Sequence, residues 1–484
     1  MSRNSNNIPL FEGVDRVAVI LYLLLVLSGL TCITSVSFED ATITDFFSFS
    51  HFHIKQASWA CIAMVTALCI LLMDSRFYHM YAYYAYAVGV LLITGTIILP
   101  EALAPTLNGA KAWYSFGSFV VQPVEFTKIT VALAVARLMS NYNYSIKKLG
   151  DLVHVGFIIL LPLIIIILQN DTGSGIVLCS FIFVLYREGL NKWLCIPFLL
   201  IAALFIGSFV FTPMTMLVLL IVICTVSEVL MNGEWRSRVI YLASLAFVSV
   251  MVYLVANYLI GWPLSAYKAL LGVSLVSLLG VSIYAYRAHL RNIFIVVAMF
   301  VGSMIFLPTT DYLFNSVLKE HQQNRIYSFL GIINDPKGID FNVNQSKIAI
   351  GSGGVFGKGF LEGTQVKYNF VPENHTDFIF CTVGEEWGFV GCMVVLAMYC
   401  TLILRLMRIG ERQEEPFGRI YCYCVASILL FHLMVNVGMT IGLMPVMGIP
   451  LPFMSYGGSS LLAFTLLLFI AIRFDASRRR FGVE

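Results

Sequence analysis

Apolar runs long enough to cross a membrane recur along the whole chain, and they constrain its fold more than any other feature. They lie at about 17–35, 57–74, 79–98, 123–139, 152–169, 175–187, 193–211, 214–231, 239–259, 264–285, 292–312, 378–404, 419–443 and 459–473. A spanning helix needs about 20 mostly apolar residues, and lipid requires that backbone groups be paired within helices or closed barrels. The sequence therefore predicts an all-α polytopic membrane protein with about fourteen transmembrane helices.

Composition supports a membrane protein and excludes two other classes. Hydrophobic residues make up 59% of the chain and charged residues only 12%, about half the charged share of a soluble domain. A water-soluble globule is therefore excluded. The formal net charge of +3 is too small for a nucleic-acid-binding protein, which gains affinity by neutralising backbone phosphates. We expect membrane lipid as the surroundings and no nucleic-acid partner.

The positions of Lys and Arg predict how the chain is oriented. With the N-terminus inside, twenty of the 30 Lys and Arg residues fall in inside loops or tails, which agrees with the cytoplasmic bias of positive charge. We expect both termini to be cytoplasmic. The longest polar interval, 313–377, then lies outside as a large extracytoplasmic loop, and its interleaved apolar residues predict that it folds onto the mouth of the bundle.

A single aspartate in that loop is the strongest catalytic candidate. Asp335 opens an Asp-Pro-x-Gly turn, downstream of Arg325 and upstream of Lys347. Most aspartates at this position of a turn only cap the backbone. A carboxylate among several cations has a second use, because it can accept a proton from a hydroxyl while the cations hold an anionic leaving group.

A second polar group lies at the start of the fourth apolar run. Glu125 and Lys128 are three residues apart and therefore share one helix face. Ionisable groups at membrane depth are costly and usually face a cavity or a partner. Two interpretations remain open here: a mutual salt bridge that holds the bundle, or the lining of an anion site.

Two further segments combine polar residues with irregular sequence. His375 and Asp377 precede an apolar run that contains Glu385 and Glu386, a set that suits either a metal or proton-relay group or helix capping. The segment 445–460 is rich in Pro and Gly. Nonhelical backbone at membrane depth must be buried in protein or line a cavity, so this segment is either a re-entrant wall of the site or a rigid outside loop.

Several motifs, in the expected order, resemble those of the shape, elongation, division and sporulation (SEDS) family, the RodA and FtsW proteins. The matching stretches are Asn108 to Trp113, Gln122 to Lys128, Asp335 to Gly338, Gln345 to Gly354, Phe370 to Phe380 and Gly442 to Ser460. The triplet Gly363-Thr364-Gln365 resembles the RodA branch more than the FtsW branch. The chain is therefore identified as a RodA-like member of this family.

The resemblance implies an activity and a set of partners. Family members are peptidoglycan glycosyltransferases that polymerise lipid II into glycan strands on the outer side of the cytoplasmic membrane. They work with a single-span transpeptidase, a class B penicillin-binding protein, and are thought to use a divalent cation, Mg²⁺ or Mn²⁺, whose ligands the sequence does not identify. The expected partners are thus lipid II, the nascent glycan strand and that transpeptidase, in the bacterial inner membrane.

The resemblance also implies roles for individual residues. It makes Asp335 the catalytic carboxylate and places Lys111, Glu125 and Lys128 in the central cavity. Further residues of the matching motifs or their neighbourhood become candidates for substrate binding: Arg325, Gln345, Lys347, Ser352, His375, Asp377 and Ser455.

The sequence departs from the family pattern in three respects. One of two expected cations is missing, since Lys111 is followed by alanine, and the Gln-Pro-Asp motif reads Gln169-Asn170-Asp171. Family members usually have ten spans, so the region 213–291 looks like an insertion of about four helices. We expect N-terminal helices over 1–212, this insertion, and a C-terminal part over 292–484 that carries the large loop.

Two other functions fit many of these features. A transporter that flips lipid II would use Glu125 and Lys128 as its polar path, but it would not need the aspartate in the outer loop. A noncatalytic scaffold for the transpeptidase would tolerate substitutions in the cavity.

Overall fold

The computed structural model describes residues 13–37, 51–190, 204, 207, 211–332 and 340–481. Within these ranges, residues 108, 118, 234, 288, 290, 317–319 and 369 are not described. The chain divides into two compact units. The first consists of residues 1–191 and 334–484, and the second of residues 192–333.

The helices and strands of the described residues comprise many helices and one short antiparallel hairpin. In chain order its elements are α1 (Arg16–Ser37), α2 (Phe52–Leu72), α3 (Ser75–Ile98), β1 (Tyr114–Phe116), β2 (Phe119–Val121), α4 (Pro123–Met139), α5 (Leu149–Leu168), α6 (Thr172–Leu178), α7 (Phe181–Arg187), α8 (Pro213–Asn232), α9 (Trp235–Leu254), α10 (Ala266–Arg287), α11 (Arg291–Ser316), α12 (Glu320–Phe329), α13 (Phe341–Ser352), α14 (Thr364–Lys367), α15 (Ile379–Glu411), α16 (Pro416–Thr440) and α17 (Gly458–Phe481). A π-helical turn, Val255–Leu259, extends α9.

The prediction of an all-α polytopic membrane protein is confirmed. Within the described ranges, nine helices are long and apolar enough to cross a membrane: α1, α2, α3, α5, α9 with its π-helical turn, α10, α15, α16 and the first part of α17. The expected run at 193–211 lies outside the described residues except for 204, 207 and 211. The run at 175–187 is not one helix, because turns at Cys179 and Ser180 separate α6 from α7.

Two helices form the centre of the first unit. In the apolar stretches of α16 and α17, 78% of the residues are buried, whereas in those of α3 and α5 only 22% are buried. Helix α16 packs against α15 and α4, and α17 packs against α2 and α4. The outer helices α2, α3 and α5 leave apolar side chains exposed, such as Leu68 and Leu91, which is the pattern of helices that face lipid.

The helical structure of the first unit is interrupted at two places, one inside α15 and one between α16 and α17. Helix α15 is broken at Gly388, whose φ is 68°. An irregular segment, residues 442–457, connects α16 to α17, and Ile449, Leu451 and Phe453 within it are buried. Irregular backbone leaves amides and carbonyls unpaired, and these must find partners elsewhere in the fold.

The second unit contains a bundle of four helices, α8 to α11. Helix α9 packs against α10, and α8 packs against α11. Their shared core includes Leu217, Leu220, Leu245 and Phe300, all of them buried. Helix α12, which carries Arg325, also belongs to this unit.

Candidate functional site

A buried ion pair lies at the start of α4 in the first unit. The Lys128 ammonium is 2.8 Å from both carboxylate oxygens of Glu125, and each side chain is only 2% exposed. The ring of Phe464 lies 5.1 Å from the same ammonium, a cation–π distance. The two side chains thus share one helix face and form the mutual salt bridge that was the first of the two interpretations. Its part in an anion site remains a prediction.

A histidine that the sequence analysis did not single out completes this group. The Nε2 atom of His432 lies 3.0 Å from Lys128 Nζ, and its Nδ1 atom lies 3.1 Å from the Pro450 carbonyl oxygen. A carbonyl oxygen only accepts, so Nδ1 carries the proton and Nε2 accepts from the ammonium. The only sequence signal for this role was a histidine inside the apolar run of α16.

His432 belongs to a buried polar stripe on α16. His432, Asn436 and Thr440 follow at four-residue intervals, which places them on one helix face. All three are at most 1% exposed. The lower end of the stripe contacts Lys128, and at the upper end the Thr440 carbonyl accepts a hydrogen bond of 3.0 Å from Ser346 Oγ in α13. One helix face therefore positions both the ion pair and α13.

The same stripe holds the irregular segment 442–457. Asn436 Nδ2 donates to the backbone carbonyls of Asp377 and Ile449, each at 2.8 Å. Ser455 Oγ donates to the Thr376 carbonyl at 2.7 Å. The segment is thus bonded to the residues that precede α15, which favours a wall of the site over a free outside loop.

His375 is held by stacking rather than by ligation. Its ring lies 4.5 Å from the ring of Phe52 at an interplanar angle of 18°, and its carbonyl accepts from the Tyr456 amide at 2.8 Å. Burial lowers the pKa of His375, against the opposing effect of the Glu373 charge. These contacts agree with a structural use of this histidine.

Lys111 occupies the end of a helix. Its ammonium donates to the carbonyls of Leu99 at 2.7 Å and Ile97 at 3.2 Å, at the C-terminal end of α3. A cation at this position pairs carbonyls that the helix leaves free and complements its dipole. In this conformation the Lys111 charge stabilises the fold, and its proposed role in the cavity remains a prediction.

Asp171 joins two helix starts despite the altered motif around it. Its carboxylate accepts from the Ser174 amide at 3.1 Å, which caps α6, and from Gln122 Nε2 at 2.8 Å, just before α4. The sequence analysis kept Asp171 as the unaltered member of the motif, and the structure shows why the local turn tolerates the change beside it.

The remaining candidates of the first unit lie on or near α13. Lys347 is exposed and contacts Gly442, and Gln345 is half-buried. Ser352 Oγ donates to the Ala349 carbonyl at 2.8 Å. Lys347 is therefore positioned at the surface end of the polar stripe, next to the first residues of segment 442–457.

Glu385 is the most heavily bonded carboxylate of this region. It is fully buried and accepts from Lys358 Nζ at 2.6 Å and from the amides of Gln365 and Val366, each at 2.9 Å. Three charge-assisted bonds to one carboxylate are ample compensation for its burial. Glu385 was predicted to belong either to a relay or to a helix cap, and these contacts give it a structural role that joins α15 to α14 and to the loop before α14.

The break in α15 is sealed by the loop 353–359. The amides of Lys358 and Gly359 donate to the carbonyls of Glu385 and Glu386, at 3.0 and 3.1 Å. In the other direction, the Phe389 amide donates to the Gly354 carbonyl at 2.9 Å. The loop thus pairs backbone groups that the helix loses at Gly388. Part of the large polar interval therefore folds onto the bundle, as predicted.

Three expectations are not resolved by these contacts. Asp335 and its turn lie outside the described residues. Arg325 is exposed on α12 of the second unit. The described residues contain no group of three or more His, Cys, Asp or Glu side chains that could hold a metal ion. The catalytic aspartate and the divalent cation therefore remain predictions.

Comparisons with known proteins agree with this architecture. The cell cycle protein family model of FtsW, RodA and SpoVE matches residues 15–217 and 203–480. The peptidoglycan glycosyltransferase RodA of Treponema pallidum is 32% identical over 410 residues, 84% of this chain and 86% of that protein. The peptidoglycan glycosyltransferase MrdB of Escherichia coli K12 is 28% identical and covers 96% of this chain and 94% of its own.

Solved structures share the fold. A chain from a peptidoglycan synthase complex that coordinates polymerization and crosslinking matches with a TM-score of 0.57 and 21% identity, over 97% of this chain and 99% of that one. The rod shape determining protein RodA of Thermus thermophilus matches with a TM-score of 0.54 and 20% identity, over 97% and 99% of the two chains.

Proposed function

We propose that this chain, which belongs to the cell cycle protein family of FtsW, RodA and SpoVE, polymerises lipid II into β-1,4 glycan strands for cell elongation. The premise is that the chain is a peptidoglycan glycosyltransferase. The relatives that support this are named RodA and MrdB. The glycan donor and the glycan acceptor of this reaction are both anchored to a membrane lipid, which fits an integral membrane enzyme.

The polar stripe of α16 is the observation that carries the proposal. His432, Asn436 and Thr440 are buried in a mainly apolar helix, and polar or ionisable groups within membrane-spanning helices usually face a partner or a site. They connect the Lys128 ion pair to α13, and Asp335 precedes α13 by six residues in the sequence. A buried ion pair and the helix that follows the candidate base in the sequence thus share one support.

In the proposed reaction, Asp335 takes the proton from the 4-hydroxyl of the acceptor GlcNAc. That oxygen attacks the anomeric carbon of the donor, and the bond to undecaprenyl pyrophosphate breaks. The α-linked phosphate becomes a β-1,4 linkage, so the step inverts and needs one base and no covalent intermediate. A positioned base typically contributes about 10²–10⁴-fold. Orientation of the two substrates and stabilisation of the departing diphosphate must supply the rest.

Four cations are candidates for holding the diphosphate: Lys111, Lys128, Arg325 and Lys347. Within the first unit Lys347 suits this role best, because its side chain is exposed on α13. The Lys128 ammonium is already bonded to Glu125 and His432, and that of Lys111 is bonded to the end of α3. Either would have to exchange these bonds for a phosphate.

A divalent cation, Mg²⁺ or Mn²⁺, is part of the proposal. Mg²⁺ is commonly held by one or two carboxylates together with substrate phosphates. Such a site does not need the protein cluster that the described residues lack. The bound ion would neutralise charge on the diphosphate, and the protein's part would be to present a single carboxylate beside it.

We further propose that the site faces the extracytoplasmic side, that both termini are cytoplasmic, and that the protein works with a class B penicillin-binding transpeptidase. The arginine and lysine distribution supports the orientation. The similarity to a chain of a peptidoglycan synthase complex supports the partner.

The test is polymerisation by the purified full chain, reconstituted with lipid II and assayed with and without the transpeptidase. Asp335→Asn should abolish glycan synthesis while expression and thermal stability stay normal, and Asp340→Asn, in the same loop, should retain it. Glycan synthesis by Asp335→Asn at a near-normal rate would remove Asp335 from the base role. Translocation of lipid II without polymer would favour the flippase. Tolerance of all cavity substitutions would favour the scaffold.

A further inference from the structure

The four helices of the second unit line a largely apolar cavity that the glycosyltransferase reaction does not use. It has a volume of about 60 Å³ and is lined by residues of all four helices α8 to α11. Most of its wall is apolar, including Ile221, Val296 and Phe300. Its two charged residues, Glu228 and Arg238, form an ion pair, and the polar side chains of Thr225, Tyr241 and Ser274 also line it.

Glu228 and Arg238 form an ion pair with donor capacity to spare. Arg238 Nη2 lies 2.7 Å from Glu228 Oε1, and the side chains are 19% and 11% exposed for Arg238 and Glu228. The Nε atom of Arg238 is buried and has no hydrogen-bond acceptor among the described residues. Buried guanidinium donors normally find an acceptor. The cavity therefore offers an N–H group to an acceptor that enters it.

A long apolar groove adjoins the cavity. It runs between α9 and α10 and shares Tyr241 and Leu245 with the cavity as common walls. Along α9 it extends from Tyr241 to Val252, roughly 16 Å at the helical rise. That length is close to the hydrocarbon depth of one leaflet, about 15 Å. Most of the lining is apolar, and its polar side chains are those of Tyr241, Ser244, Lys268 and Ser277. The groove therefore has the dimensions and the mainly apolar chemistry of a binding surface for an acyl chain.

The charged end of the cavity lies at the edge of the bundle that the arginine distribution predicts to be cytoplasmic. Arg236 and Arg238 begin α9, and Arg287 ends the antiparallel helix α10. Basic groups between transmembrane helices on this side are suited to phospholipid headgroups. An anionic headgroup bound at Arg238 would also lie beside the Glu228 carboxylate, and repulsion between these like charges disfavours a headgroup that carries no cation.

We propose that the second unit binds one aminophospholipid, of the phosphatidylethanolamine type. Its phosphate accepts from Arg238, its ammonium donates to Glu228, and one acyl chain lies in the groove between α9 and α10. Both charges of the headgroup then meet their complement at residues that are already paired with each other. The proposal is independent of the reaction proposed for the first unit.

The experiment is native mass spectrometry of the delipidated full chain in detergent, with added phosphatidylethanolamine, phosphatidylglycerol or phosphatidylcholine of identical acyl chains. We expect one bound phosphatidylethanolamine per chain, and at least tenfold weaker binding of the other two. Arg238→Gln should weaken phosphatidylethanolamine binding at least tenfold. Arg236→Gln, an exposed arginine two residues away, should leave it unchanged. Glu228→Gln should abolish the preference over phosphatidylglycerol.

Three results would overturn the proposal: no retained phosphatidylethanolamine, equal binding of phosphatidylglycerol to the unaltered chain, or undiminished binding by Arg238→Gln. Size-exclusion chromatography and thermal unfolding establish that each variant is folded. If Arg238→Gln is not, Arg238→Lys takes its place. It keeps the charge but lacks the Nε donor, so weaker binding by this variant supports the proposal and unchanged binding contradicts it.

Discussion

The Nε2 atom of His432 lies 3.0 Å from the Nζ atom of Lys128, although the two residues are 304 positions apart in the chain. The imidazole can accept this bond because its Nδ1 proton is directed to the Pro450 carbonyl. A single ring therefore connects the buried ion pair of α4 to the irregular segment between α16 and α17.

We predict that His432→Phe destabilises the protein by about 1–3 kcal/mol, the usual cost of leaving a buried donor unpaired. The substitution removes the acceptor of Lys128 and the donor to Pro450 together. Thermal unfolding of the purified protein measures the loss as a lower Tm. His154→Phe, on the exposed face of α5, is the matched control, and an equal loss in both variants would contradict the proposed role of His432.

We predict that Glu385→Gln loosens the loop before α14. The neutral amide keeps the shape but loses the charge that pairs with Lys358 and strengthens the two amide bonds. Hydrogen bonds to a charged group contribute about 1.5–3 kcal/mol each, so the Tm should fall and proteolysis between residues 353 and 363 should become faster. Glu362→Gln changes an exposed carboxylate in the same loop and should alter neither. Unchanged protease resistance in Glu385→Gln would show that the carboxylate does not hold this loop.

We predict that Gly388→Ala is strongly destabilising. Residue 388 has φ of 68°, and a Cβ atom there would meet the backbone of Val355 and Phe356 at 2.7 Å. With ψ of −164° as well, this backbone conformation is nearly exclusive to glycine and costs another residue about 1–3 kcal/mol, and the clash adds to it. Gly156→Ala provides the control, since a Cβ at this helical position meets nothing within 4 Å. A Tm of Gly388→Ala equal to that of the control would mean that α15 is not broken at this residue.

We predict an acid-dependent stability that depends on Asp15. Burial raises the pKa of Asp15, but hydrogen bonds from the Ala18 amide, Arg405 and Arg412 outweigh this effect and hold the pKa below its usual value. A carboxylate whose folded pKa is depressed stabilises the fold above its unfolded pKa, about 3.9. This stabilisation is lost as the pH falls through the lower folded value.

The measurement is Tm as a function of pH between 7 and 3. The unaltered protein should keep its Tm down to about pH 4 and lose stability below that value, as Asp15 becomes protonated. Asp15→Asn should have a lower Tm at pH 7 and a smaller further loss in acid. Glu414→Gln, an exposed carboxylate near Arg412 in sequence, should follow the unaltered curve. Parallel curves for the unaltered protein and Asp15→Asn would assign the acid sensitivity to other groups.

Much of the candidate site could be anticipated from local sequence. The spacing of Glu125 and Lys128 was sufficient to predict a shared helix face, and they form an ion pair. The Pro and Gly residues of segment 445–460 were sufficient to predict irregular backbone there, but they left open a re-entrant wall or a rigid outside loop. In the structure Leu451, Phe453 and Ser455 are buried. Asp335 was singled out by its turn and its neighbouring cations, and its role stays a prediction.

The sequence by itself determined that this is a helical membrane protein, because hydropathy and helix-face spacing are sums over neighbouring residues. Only the tertiary structure decided which polar groups meet. It brought His432 to Lys128, bound the Lys111 ammonium to the end of α3, and sealed the break at Gly388 with a loop about thirty residues earlier in the chain. These contacts join distant segments, and each arises because a buried donor or acceptor must find a partner in whatever segment packing places beside it.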